Sequence, residues 1–218
     1  MRRVAVLDYG MGNLRSVEKA FEHVGVRADV TSDHERIRAA DGVVLPGVGA
    51  FPKAMERIRE LGLDAAIRER LDGGVPVLGI CLGLQLLFES STELGGATGL
   101  GLIAGGVDRL DTGGLKLPQI GWNTVEWRRR SALNEALPER CAMYHVHTYA
   151  PRPEDDGVVL GSARYGEEFA TAVEQGLVSG VQFHPEKSGP HGLALLAGFA
   201  RRGGAPAPAS ATAASPGA

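Results

Sequence analysis

Along the first half of the chain, short β-branched runs alternate with stretches whose apolar residues recur at helical spacing. Residues 4–7, 28–31, 43–45 and 75–80 read as buried strands, while Leu14, Val17, Phe21 and Val24 mark one face of a helix. Such alternation predicts βαβ units, that is, a parallel sheet covered by helices. After about residue 100 the rhythm changes to closely spaced strand candidates at 124–127, 142–148, 158–163, 169–174 and 177–183, with a last helix near 193–201. Strands this close together pair antiparallel. The predicted fold is therefore α/β: a mixed, mostly parallel central sheet flanked by helices, with an antiparallel extension in the second half.

Composition narrows the class. The 218 residues suffice for one domain with its own core, expected over 1–202. From Gly203 to Ala218 there is neither charge nor a large apolar side chain, so a disordered Ala/Pro/Ser-rich tail is expected there. Two cysteines are too few for a disulfide framework. The apolar run before Asp8 is far too short for a signal segment or a membrane span, and a cytoplasmic protein is expected. A net charge of −3 gives no reason to expect nucleic acid or a membrane surface as partner. The run Arg128-Arg129-Arg130 reads as a solvated turn.

Candidate chemistry is densest at Gly79-Ile80-Cys81-Leu82-Gly83-Leu84-Gln85. A buried strand enters Gly-x-Cys-x-Gly and continues into an apolar helix expected near 84–88, the strand, sharp turn and helix of a nucleophile elbow. That geometry sets the Cys81 sulfur at the C-terminal edge of the sheet and at a helix N-terminus, which favours thiolate. A thiolate nucleophile needs a base and an orienter for it. His184-Pro185-Glu186 supplies both: proline biases His184 to extended backbone, and Glu186 two residues on can face the same side. The glycine loop Pro46-Gly47-Val48-Gly49 follows a strand, and its N–H groups at Val48 and Gly49, with that of Leu82, could form an oxyanion hole. His145 and His147 share one face of a predicted strand and are legal zinc ligands, but no further metal motif accompanies them, so no metal or other cofactor is expected. Asp8-Tyr9-Gly10-Met11-Gly12-Asn13 lacks the third glycine of a dinucleotide fingerprint and reads as a strand-to-helix turn.

These residues carry a resemblance. Gly79-Ile80-Cys81-Leu82-Gly83-Leu84-Gln85 with His184-Pro185-Glu186 resembles the class I, triad-type glutamine amidotransferases. Asp8-Tyr9-Gly10-Met11-Gly12-Asn13, Pro46 to Phe51, Pro118-Gln119-Ile120-Gly121-Trp122-Asn123, Val146-His147-Thr148-Tyr149 and Gln182 to Ser188 are similar, in order, to the glutaminase subunits of imidazole glycerol phosphate synthase. The resemblance implies a flavodoxin-like amidotransferase fold and hydrolysis of glutamine to glutamate and ammonia through a thioester. The ammonia would travel through a channel to a cyclase subunit, which makes imidazole glycerol phosphate and aminoimidazole carboxamide ribotide in histidine biosynthesis. It further implies Cys81, His184 and Glu186 as catalytic triad, Gly49, Gln85, His147 and Thr148 as substrate contacts, and Asn13, Trp122, Tyr144 and Lys187 as partner-facing. His145 stands where the family commonly has an aromatic or apolar residue, and Gln119 where a histidine is frequent. A glutaminase of a different synthase and a catalytically silent regulatory subunit are the alternatives.

Overall fold

The computed structural model describes residues 3–202; the tail expected at 203–218 lies outside the described residues. Its first half contains β1 (Arg3–Leu7), β2 (Arg27–Thr31), β3 (Gly42–Gly47) and β4 (Val77–Cys81). Between them lie α1 (Leu14–His23), α2 (His34–Arg38), α3 (Phe51–Glu60) and α4 (Leu63–Asp72). Every residue of β3 and β4 is buried, as strands covered on both faces must be, and both therefore read as unbroken apolar runs. Helix α1 buries Val17, Ala20 and Phe21, the stripe that its spacing marks.

Helix α5 (Leu82–Leu86) follows β4 without a linker. The second half holds β5 (Phe88–Ser91), β6 (Ala97–Thr98), β7 (Ile103–Arg109), β8 (Gln119–Trp127), β9 (Arg140–His147) and β10 (Tyr149–Pro153). It ends with β11 (Val159–Tyr165), β12 (Glu167–Gln175), β13 (Val178–Val181) and α6 (Gly189–Arg202).

One nine-stranded sheet runs in the order β2-β1-β3-β4-β13-β12-β11-β8-β9. The first five of these are parallel, and the last four form the antiparallel extension. Strand β13 comes back from late in the chain to lie parallel to β4, with Gly180 opposite Gly79 and Val181 opposite Ile80. The segment after β13 therefore leaves the sheet at the same edge as Cys81. Side chains on the two faces form separate cores, one around Leu45, Phe51 and Ile58, the other around Phe21, Val44 and Phe199.

Two expectations need correction. The helix after Cys81 spans Leu82–Leu86 rather than 84–88, and Phe88 already belongs to β5. A second sheet, in the order β10-β7-β5-β6, stands beside the single sheet expected. Glycines 105 and 106 interrupt β7, and Pro151 and Pro153 interrupt β10, which tolerates them as an edge strand. No helix among the described residues is long and apolar enough to cross a membrane.

Candidate active site

Strand β4 ends at Cys81, whose φ of 56° and ψ of −110° lie outside the regions that side-chain-bearing residues ordinarily occupy. Close packing holds it there. A Cβ at Gly79 would lie 2.5 Å from the Gly83 carbonyl oxygen, and one at Gly83 would lie 1.7 Å from that of Leu45. The flanking glycines are thus required by backbone contact, as the motif implies. The turn presents Sγ to the Val146 carbonyl, which accepts from the thiol at 3.6 Å, and to the Gln182 amide, whose Nε2 lies 3.8 Å away.

His184 reaches the same place from β13. Its backbone is extended, as the following proline favours, but the chain then closes into a 3-10 turn over Pro185–Lys187. That turn, rather than strand alternation, carries Glu186 round to His184, with Nδ1 and Oε1 2.8 Å apart and both side chains nearly sealed from water. The turn is pinned to β9: the His184 N–H donates to the Tyr144 carbonyl at 2.8 Å, and the Ser188 hydroxyl donates to the His184 carbonyl at 2.6 Å while accepting from the Tyr144 N–H at 3.0 Å. Burial pulls the His184 pKa down, but hydrogen bonds to Cys81 and Glu186, with the charges of both, outweigh it and push the value up to about 10. The imidazole is therefore held as imidazolium between a sulfur and a carboxylate, the partners that a nucleophile's base requires.

A pocket of about 260 Å³ opens over these groups, near the small end of ligand-site sizes. Val48, Gly49 and Leu82 line it beside Cys81. The glycine loop is partly strand: β3 runs through Gly47, which pairs in register with Cys81, so Val48 and Gly49 emerge next to the sulfur. Gln85, His147, Thr148 and Lys187 also line the pocket. Asn13, Trp122 and Tyr144 do not. Trp122 is 59% exposed and meets Tyr144 edge-on at 6.0 Å, next to exposed Ile120, and Asn13 stands exposed at the start of α1 without capping it.

Two further residues at the site have no role assigned by the resemblance. Glu93 places a carboxylate in the pocket, accepting from the Phe51 N–H at 2.8 Å. Tyr9, fully buried, donates its hydroxyl to the Pro46 carbonyl at 2.7 Å and so ties the first turn to the glycine loop.

His145 and His147 form a second histidine site on β9. Their rings lie 5.6 Å apart beside Phe169. His145 Nδ1 faces the Met143 carbonyl at 3.0 Å, and His147 Nδ1 faces that of Tyr149 at 2.9 Å. Each Nδ1 therefore carries the proton, since a carbonyl can only accept. The Thr171 hydroxyl meets His145 Nε2 at 2.8 Å. Among the described residues no group of three or more His, Cys, Asp or Glu is placed to hold a metal.

A family profile described as "Glutamine amidotransferase class-I" matches residues 5–202. The "Imidazole glycerol phosphate synthase subunit HisH" of Moorella thermoacetica is 51% identical over 91% of this chain and 94% of its own length. The subunit of the same name from Aquifex aeolicus is 50% identical over 92% of this chain and 97% of its own. Among solved structures, PurLQS from Thermotoga maritima shares the fold with a TM-score of 0.69 at 19% identity, covering 92% of this chain and 98% of that one. The chain is thus an enzyme that belongs to the class-I glutamine amidotransferase family and, within it, with the HisH subunits of imidazole glycerol phosphate synthase.

Proposed function

We propose that this chain hydrolyses L-glutamine to L-glutamate and ammonia as the glutaminase subunit of imidazole glycerol phosphate synthase, with Cys81, His184 and Glu186 as its catalytic triad. The observation that carries the reading is the strained Cys81 turn facing an imidazole that is hydrogen-bonded to a sealed carboxylate. The Cys81 sulfur, its proton on His184, attacks the side-chain amide carbon of glutamine. The Leu82 N–H, with those of Val48 and Gly49, receives the oxyanion of the tetrahedral intermediate. His184 then protonates the departing nitrogen, ammonia leaves and a thioester remains. A water molecule, deprotonated by His184, attacks the thioester, and glutamate departs as the sulfur is freed. Glu186 keeps the imidazole oriented and stabilises its charged form throughout. Gln85, His147 and Thr148 contact the substrate, and Glu93 supplies the negative charge that an α-ammonium group requires.

The ammonia passes through a channel to a cyclase subunit, for which exposed Asn13, Trp122 and Lys187 and half-buried Tyr144 are the docking residues. Exposed Trp122, packed edge-on against half-buried Tyr144, supports this, because aromatic residues are enriched in interface cores. The names of the relatives favour this synthase over others. In the assembled complex, Cys81→Ala abolishes glutamine-dependent synthesis and leaves synthesis from added ammonia intact. Loss of both would make Cys81 a structural residue, and retained glutamine use would remove it from the chemistry.

A further inference from the structure

Gln182 lies just beyond β13, and its side chain is fully buried. Its backbone N–H donates to the Thr171 carbonyl at 2.8 Å, which fixes the residue to β12. The side-chain amide must find partners, because a buried amide left unpaired is costly. Gln85 Nε2 lies 3.1 Å from Gln182 Oε1 and 3.0 Å from the Tyr149 carbonyl oxygen. The Tyr149 carbonyl can only accept, so the Gln85 atom facing it is nitrogen. That nitrogen's second hydrogen meets Gln182, so the Gln182 atom there is oxygen. The NH₂ of Gln182 is left facing Cys81 Sγ, 3.8 Å away.

We propose that Gln182 is a catalytic hydrogen-bond donor to the Cys81 sulfur, aimed by Gln85 through this chain of amides. While the sulfur is a thiol, its proton has the Val146 carbonyl to go to. Once the proton has passed to His184, that carbonyl has nothing to accept, and the negative sulfur is held by His184 and Gln182. His184 must let go of the sulfur to protonate the leaving nitrogen. Gln182 is anchored at both ends and stays. When water later opens the thioester, the same N–H receives the charge returning to sulfur.

This role rests on the glutaminase reading, and the experiment separates the two. In the full chain with its cyclase partner, Gln182→Met keeps the length of the side chain and removes the donor. Alkylation of Cys81 by iodoacetamide, followed site by site by mass spectrometry, slows about 3- to 10-fold at fixed pH, because losing a hydrogen bond to a charged group lowers the reactive fraction about 10- to 100-fold while the freed sulfur is more nucleophilic. The kcat for glutamine falls in parallel with KM held within about twofold, while ammonia-dependent synthesis is retained. Gln85→Met, which leaves Gln182 in place but unaimed, slows alkylation by a smaller factor. Unchanged alkylation in Gln182→Met with ammonia-dependent synthesis intact overturns the proposal. If Gln182→Met also loses ammonia-dependent synthesis, alkylation of Gln85→Met decides: slowing supports the role and an unchanged rate overturns it. Retained glutamine hydrolysis in Cys81→Ala overturns the underlying reading instead.

Discussion

His184 and the His145–His147 pair are buried to a similar degree, yet they are held in opposite protonation states. Burial lowers the pKa of all three. On β9 the desolvation meets no anion; burial, then the neighbouring His147, takes His145 down to about 3, and burial, opposed by the Tyr149 carbonyl and aided by the His184 charge, takes His147 down to about 4. At the end of β13 the same desolvation is overcome by Cys81 and Glu186, and His184 rises to about 10. Which partner the fold delivers, not depth, decides whether a buried histidine is charged. The two regions are also coupled: positive charge on His184 helps keep His147 neutral, so its lone pair stays free at the pocket wall.

The largest test of this contrast is deletion. His184→Ala lowers glutamine hydrolysis about 10³-fold or more, because both proton transfers lose their carrier. His145→Phe, which places an aromatic side chain beside Phe169 and Phe183, leaves hydrolysis within a few-fold. Steady-state assays of the two variants in the complex give the comparison directly. Equal losses would mean that the β9 pair shares in the proton transfer.

Next in size is removal of the anion. Glu186→Gln preserves shape, lowers kcat by about 10²-fold or more through loss of imidazolium stabilisation, and returns the His184 titration from about 10 toward lower pH. A folded-state value above 6.5 means that protonated His184 stabilises the fold fully below pH 6.5, and that this contribution is lost as pH climbs through about 10. In Glu186→Gln the loss shifts to lower pH. Nitrogen NMR of the imidazole reads the titration, and a His184 signal unmoved by the substitution would assign the charge to Cys81 alone.

The sequence makes one of these regions far easier to see than the other. Cys81 sits between glycines that a tight turn demands, and His184 and Glu186 are two residues apart, so local spacing encodes the proposed triad. The parallel strands are equally plain, because β3 and β4 must be apolar on both faces. The second sheet is hidden: β10 carries two prolines, β7 a pair of glycines, and the apolar run through Leu86, Leu87 and Phe88 passes from helix into strand with no punctuation. Gln182 and Glu93 are hidden for another reason. Their meaning lies in contacts with distant residues, Gln85 and Cys81 for the one and Phe51 for the other, and no local pattern encodes those. The state of His145 is likewise set by Thr171 and the aromatic rings around it, which the His-x-His spacing alone does not encode.

The smallest effect tests the neutral state of this pair. A histidine that is neutral when folded and titrates near 6.5 when unfolded makes the unfolded chain the better proton acceptor in acid. The stabilisation is complete above pH 6.5 and is lost as pH falls through the folded values of about 4 and about 3. His145→Phe removes one of the two groups, so the slope of unfolding free energy against pH between 4 and 6.5 decreases by up to about 1.4 kcal/mol per pH unit. At pH 8 the variant is slightly less stable than the parent, by about 1 kcal/mol, because the Thr171 hydroxyl loses its acceptor. The two stability curves therefore meet and then cross as the solution is acidified, leaving the variant the more stable in acid. Urea unfolding at a series of pH values measures the slope, and parallel curves for parent and variant would show that His145 is protonated in the folded protein, which would place a second charged histidine beside His184 and remove the contrast between the two sites.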